Sequence, residues 1–307
     1  MMANDPDSPT ALIGDVARET GLSKDTLRIW ERRYGFPSPT RNHNDERVYG
    51  SEQITRLQII RRLLDSGLRP GRIVGLPLEQ LSAFRPSGKP APAGSPEVAG
   101  PLQLLELVKS QHSGALQHRL SQLLMELGLR RFIREVVAPL NSLVGEAWLT
   151  GAIDIFQEHL YTNQIQGLLQ HALGTLPASF QPPQVLLTTL PGEEHQLGLL
   201  MAQAFFAMEG SHCLPLGTQT PPAQIAKAVA AHEIDIVGLS CTGAVSPRLT
   251  HSQLSLVREV LDRRVEVWVG GSIGPPDRLK VTGVRYVTDL AEIRPLLAQW
   301  RAQSRMA

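Results

Sequence analysis

The stretch Gln184–Gly198, "QVLLTTLPGEEHQLG", changes character in the middle. Its first half is a short apolar, β-branched run with the length and composition of a buried strand. Its second half breaks into "PGEEHQLG", which places Glu193, His195 and Gly198 directly beyond that strand. In a parallel sheet, ligands bind outside the carboxyl ends of the strands. A histidine there is either an ordinary loop residue or a ligand presented by the sheet. The sequence on either side decides between them.

Downstream, the β-rich runs "HCLPLG", "DIVGLS", "VEVWVGG" and "VRYVT" follow the first strand. They alternate with helical segments such as "PPAQIAKAVAAHE" and "RLTHSQLSLVREVLDRR". Alternating β and α elements predict a doubly wound parallel sheet, flavodoxin-like or Rossmann-like, over residues 179–307. The expected strand ends are "PGEEHQLG", "CTGAVSP" and "GGSIGPP". Upstream, residues 102–178 repeat apolar side chains at helical spacing in four segments, from "LQLLELVKS" to "AIDIFQEHLYTNQIQGLLQHAL". Gly114, Gly128 and Gly151 fall where helices should begin or end. Four helices with short connections predict a bundle. Further upstream, residues 85–101 read "RPSGKPAPAGSPEVAGP", a Pro/Gly/Ala/Ser stretch without periodicity and therefore a linker. Residues 1–84 form a separate module.

That first module is basic on a nearly neutral chain. The 307 residues carry a formal net charge of +1. Between Lys24 and Arg72, eleven basic residues face six acidic ones. A local excess of this kind is the footprint of a nucleic-acid surface, or more blandly a solvated helix face. "IGDVARETGLSKDTLRIWERRYGF" has helix-turn-helix spacing. Ile13, Val16 and Ala17 form the packed face of a first helix. Gly21 makes the turn, Leu22 tucks behind it, and Ser23 caps a second helix carrying Lys24, Thr26, Arg28, Arg32 and Arg33. A polar hairpin-like stretch, "PSPTRNHNDERVYG", and two further amphipathic helices follow, giving an all-α winged helix-turn-helix.

The composition, 42% hydrophobic and 19% charged, is that of a soluble globular protein of more than one domain. No apolar run approaches the roughly 20 residues that cross a bilayer, and the opening residues do not form a secretory signal. Two cysteines, Cys213 and Cys241, make neither a disulfide framework nor a zinc site. A cytoplasmic location and no membrane partner are expected.

Residues 11–80 closely resemble the DNA-binding domain of MerR-family transcriptional regulators, on "TLRIWERRYGFPSPTR", "RVYG" and "IIRRLLDSGLRPGRI". The resemblance implies that the second helix enters the major groove and that the wing grips phosphates. Lys24, Thr26, Arg28, Arg32 and Tyr34 would then contact promoter DNA from the helix, and Arg41, Arg47 and Tyr49 from the wing. Trp30 is expected in the core. The wing tip reads "NHNDE" in place of the family's Gly-Gly-His. Family members bind inverted repeats as dimers.

The strand ends carry a second resemblance. Glu193-x-His195-x-x-Gly198, then Ser240-x-Thr242, then Gly270-Gly271 is similar in order and spacing to the cobalamin-binding domains of methionine synthase and the mutases. Thr242 stands where that family has Leu. The resemblance implies His195 as lower axial cobalt ligand, Glu193 as its orienting partner, Ser240 and Thr242 beside the nucleotide base, and Gly270 and Gly271 along the nucleotide tail. Gly198 is expected to let the next helix start close to the ligand. A third likeness is to cobalamin-dependent MerR-type photoreceptors of the CarH/LitR kind, through Trp148, nine residues, then Glu158-His159. It implies that Trp148 covers the upper corrin face while Glu158 and His159 bond the adenosyl group. In some members a His follows the Trp; here Leu149 does.

Together these imply a non-enzymatic, light-responsive transcriptional regulator, a repressor. It would hold adenosylcobalamin (methylcobalamin being the other form), bind promoter DNA as a dimer or tetramer in the dark, and release it on photolysis. The alternatives are a cobalamin-independent MerR-type regulator acting through protein partners and a cobalamin carrier for methyl transfer or a mutase. Leu149 leaves the upper ligand after illumination open.

Overall fold

The computed structural model describes residues 10–42, 44–65, 68, 70–81, 100–110, 112–177, 181–242, 245–272 and 280–304. All but the last two residues of the expected linker at 85–101 lie outside them. The chain divides into two compact units, Met1–Pro86 with Trp148–Ala152, and Ser87–Ala147 with Ile153–Ala307.

In the first unit, β1 (Thr10–Leu12) leads into α1 (Ile13–Thr20) and α2 (Lys24–Tyr34). Gly21 takes φ 67°, the left-handed conformation that turns the chain between the helices. The Ser23 hydroxyl then accepts the Thr26 N–H at 3.0 Å, as an N-cap does. Strands β2 (Thr40–Arg41) and β3 (Arg47–Gly50) form a hairpin, and β1 pairs antiparallel with β3, in the order β1-β3-β2. The expectation of an all-α module is corrected by this small sheet, whose strands are too short to alternate visibly in sequence. Helices α3 (Ser51–Asp65), α4 (Pro70–Ile73) and α5 (Leu78–Leu81) complete the unit. Val16, Leu22, Leu27, Trp30, Tyr49, Leu57 and Ile60 lie in its core.

The second unit opens with α6 (Pro101–Lys109), α7 (Ser113–Arg131), α8 (Ala138–Thr150, of which the last three residues group with the first unit) and α9 (Ile155–Gly174). Gly128, with φ 71° and ψ 161°, interrupts α7, and a π-helical stretch, Phe132–Val137, carries the chain into α8. Gly151, at φ 76°, follows the last residue of α8. Side chains lock these helices together. Gln157 donates to the carbonyls of Val108 and Lys109, and the Tyr161 hydroxyl donates to Asn141 at 2.5 Å.

The rest of this unit alternates strand and helix: β4 (Gln181–Thr188), α10 (Leu197–Met208), β5 (Ser211–Gly217), α11 (Pro222–Ala231), β6 (Ile236–Ser240), α12 (Pro247–Val260), β7 (Glu266–Gly270), β8 (Val284–Val287) and α13 (Ile293–Ser304). All five strands are parallel, in the order β5-β4-β6-β7-β8. The centre of β4 and all of β6 are buried, as strands covered on both faces must be. From β4 the chain steps outward to β5 and then returns across β4 to β6. The strand order therefore reverses between β4 and β6, and a crevice opens there at their carboxyl ends. Among the described residues no helix is long and apolar enough to cross a membrane.

Candidate cofactor site at the strand ends

Glu193 sits in the loop after β4 and is 2% exposed. Burying a carboxylate is costly unless its oxygens are bonded, and both of them are. One Oε accepts the ring Nδ1–H of His195 at 2.5 Å and the His195 backbone N–H at 3.2 Å. The other accepts the Thr242 N–H at 2.7 Å and the Thr242 hydroxyl at 2.5 Å. A single buried carboxylate thus bridges the end of β4 to the end of β6.

Titration follows from this arrangement. Burial alone would raise the Glu193 pKa, but the hydrogen bonds from His195 and Thr242 outweigh it and hold it below the ordinary value. The bond to Glu193 raises the pKa of His195 against the opposing effect of burial, and the charge of Glu158 adds to the rise. Engaging Nδ1 fixes the imidazole tautomer and directs Nε2 outward, while the side chain stays 63% exposed.

Two glycines let the strand ends and the next helix close up. A methyl group on Gly198 would lie 2.5 Å from the Ser240 hydroxyl oxygen, so α10 starts against Ser240 because residue 198 has no side chain. Gly271 takes φ 113°, and a Cβ there would overlap the Cys241 carbonyl oxygen. Gly270 ends β7, with Val287 O 3.5 Å from where its Cβ would be. Gly271 is therefore needed for β7 to pack against the end of β6, whereas a side chain at Gly270 would meet only an ordinary contact. Cys241 is buried and its thiol pKa is pushed up to about 12, so it stays a neutral apolar filler.

On α9, Glu158 bonds His159 Nδ1 at 2.6 Å through one oxygen and accepts the Thr162 hydroxyl at 2.6 Å through the other. This helix packs along α10, and Gln166 reaches Gln196 of the histidine loop at 3.5 Å. Glu158 and His159 thus share a unit with Glu193, His195, Gly198, Ser240, Thr242, Gly270 and Gly271. Trp148 does not. It packs with buried Leu149 against the apolar core of its own unit.

Sequence reasoning missed the braces of the histidine loop. The Thr189 hydroxyl donates to the Glu193 carbonyl at 2.6 Å and accepts the Gln219 N–H at 2.8 Å. The Gln219 side chain accepts the Gly192 N–H and donates to Glu194, each at 3.2 Å. Gln253 of α12 donates to the Pro191 carbonyl at 3.1 Å. "TTL" after the first strand was the available signal, but isolated polar residues carry no periodicity.

In the N-terminal unit, Lys24, Arg28 and Arg32 are exposed on α2, Thr26 is half-buried, and Arg41 is exposed on β2. Arg28 pairs with Asp25 at 3.2 Å and Arg47 with Glu31 at 3.0 Å. Tyr34 is half-buried, packing against the core from the end of α2. Tyr49 is fully buried, which corrects its expected contact with DNA: it is the inward residue of β3, and its ring fills the core.

Comparison with known proteins bears on both units. Residues 12–76 match the MerR HTH family regulatory protein domain, and residues 183–290 match the B12 binding domain. The chain joins a MerR-type helix-turn-helix to a B12-binding domain. The transcriptional repressor CarH of Myxococcus xanthus is 29% identical over 86% of this chain and 89% of its own length. CarA of the same organism, also a transcriptional repressor, is 27% identical over 96% of this chain and 99% of its own. The monomethylamine corrinoid protein of Methanosarcina barkeri is 14% identical, covering 63% of this chain and 94% of its own, with a TM-score of 0.51. That last likeness concerns the fold. The chain is homologous to CarH and CarA, and the relatives it spans almost end to end are regulators of transcription.

Proposed function

We propose that the protein is a cobalamin-dependent transcriptional repressor whose affinity for promoter DNA responds to light. The observation that carries this reading is the buried Glu193 carboxylate, which fixes the His195 ring from Nδ1 and presents Nε2 at the crevice between β4 and β6. Such a histidine is a single axial donor, which is what a metal already enclosed by a macrocycle requires. Ser240 and Thr242 would stand beside the nucleotide base, and Gly270 and Gly271 along the tail. Glu158 and His159, carried on α9, offer hydrogen bonds to an upper adenosyl group. When bound, adenosylcobalamin would supply a photolabile cobalt–carbon bond, and His195 would hold its cobalt while α9 offered Glu158 and His159.

On the N-terminal unit, α2 would enter the major groove and the β2–β3 hairpin would act as the wing, with Arg41 and Arg47 at phosphates. Two copies on an inverted repeat, or four in the dark, would keep the polymerase from the promoter until light loosens the assembly. The test is direct. Purified protein mixed with adenosylcobalamin in the dark should elute coloured and change its spectrum on illumination, and His195→Ala should weaken the binding at least tenfold. Colourless elution of the unaltered chain would overturn the proposal.

A further inference from the structure

Helix α2 presents two faces. Leu27 and Trp30 lie in the core of the unit and Tyr34 packs against it. On the opposite side, Asp25, Arg28, Ile29 and Arg32 fall at i, i+3, i+4 and i+7 and form one exposed stripe. Three of these four are charged. Ile29 is not, yet it is 47% exposed and stands outside the apolar cluster of its own unit. An isoleucine in the middle of a charged, solvent-facing stripe gains little from packing, and β-branching slightly lowers its helix propensity.

Resting on the reading of α2 as the DNA-entering helix, we infer that Ile29 reads the C5-methyl group of a thymine, so that each half-site holds an A·T pair at the position Ile29 faces. In the major groove that methyl is the apolar feature by which base edges are told apart, and an apolar side chain is the group that recognises it. The neighbours fit the same occupant. Arg28 and Arg32 flank Ile29 on the stripe and supply positive charge for guanine edges or phosphates. The Asp25 carboxylate, 3.2 Å from Arg28, holds one of those guanidiniums on this face. Ile29 also loses little rotamer freedom on contact, since its χ1 is already restricted in a helix.

The experiment starts with the full-length protein. Its preferred site is selected from random duplex DNA, and each thymine in the site is then replaced by deoxyuridine, which removes the methyl and leaves the hydrogen-bonding pattern intact. At one thymine in each half-site, deoxyuridine should weaken binding about fourfold, the worth of one buried methyl-sized group. Ile29→Ala should bind both versions of that site equally, and Ile29→Val should keep most of the discrimination. Because Ile29 is exposed, both variants should unfold at the same temperature as the parent chain. Sequence-specific binding that ignores every thymine methyl, or Ile29→Ala discriminating as the parent does, would overturn the inference and leave the DNA-binding reading standing. Failure to select any site would overturn both. A change of oligomeric state in Ile29→Ala with methyl discrimination unaltered would assign the residue to a second copy of the chain.

Discussion

At the scale of single residues, Glu193 is the side chain on which the candidate site turns, because it joins a histidine beyond one strand end to a hydroxyl beyond another. Thr242→Val removes the 2.5 Å hydroxyl bond and keeps the backbone one. Cobalamin affinity should fall several-fold, with a smaller fraction of the bound cofactor in the histidine-ligated form. Thr242→Ser should restore both, and the unfolding temperature of the unloaded protein should barely move. The pair also makes a pH prediction for that unloaded protein. A carboxylate held below its ordinary 4.5 gives stability that is present above pH 4.5 and lost as pH falls through its lowered value. A histidine raised above 6.5 gives stability that is present below pH 6.5 and lost as pH rises through its raised value. Both contributions are complete between those two values. Glu193→Gln should therefore cost most in that window, on the order of 1–2 kcal/mol given the exposure of His195, and less on either side. A loss that stayed constant from acid to alkaline pH would remove the ion pair from the account.

At the scale of elements, the glycines show what was legible in the sequence. The order strand, Glu-x-His-x-x-Gly, strand, Ser-x-Thr, strand, Gly-Gly was readable because strands buried on both faces appear as continuous apolar runs. Gly198, Gly270 and Gly271 could be placed at strand ends, but what each approaches could not. The atoms that would collide are Ser240 and Cys241, brought there by a fold that pairs residues far apart in the chain. Tyr49 was misplaced for a related reason: four residues of β3 are too few to show which face is inward. A helix break at Gly128 and a hairpin before α3 were legible, but the pairing of β1 with β3 escaped because three residues inside a longer pattern show no alternation. These contacts make an element-level prediction. Gly271→Ala meets backbone at a positive φ and should cost about 3 kcal/mol or more in chemical denaturation. Gly198→Ala meets only the Ser240 hydroxyl and should cost about 1–2 kcal/mol, most of it recovered in the double variant with Ser240→Ala. If the double variant were no more stable than Gly198→Ala, close packing of α10 on β6 would not be the reason for that glycine.

At the scale of the whole molecule, two units with separate cores divide the work, and the charge division follows them. A chain of net charge +1 places an excess of five positive charges between Lys24 and Arg72, within the unit that resembles a DNA-binding domain, while the carboxylate–histidine pair belongs to the other. Each ligand should therefore stabilise the unit that carries its site. Cobalamin in the dark at a hundred times its dissociation constant adds about 2.7 kcal/mol to whatever it binds, provided the unfolded chain does not bind it. Calorimetric transitions can be assigned by variants with known locations. Tyr49→Ala, which empties a core position, lowers the transition of the N-terminal unit by about 3–5 kcal/mol. Gly271→Ala lowers that of the unit containing the sheet. Cobalamin should raise the transition that Gly271→Ala lowers, and His195→Ala should abolish most of that rise. Operator DNA should raise the transition that Tyr49→Ala lowers, with an effect that falls steeply as salt is added, because the contacts it depends on displace counterions from phosphates. Cobalamin raising the Tyr49-sensitive transition while leaving the Gly271-sensitive one unmoved would place the cofactor on the wrong unit, and the reading of His195 as its axial ligand would fall with it.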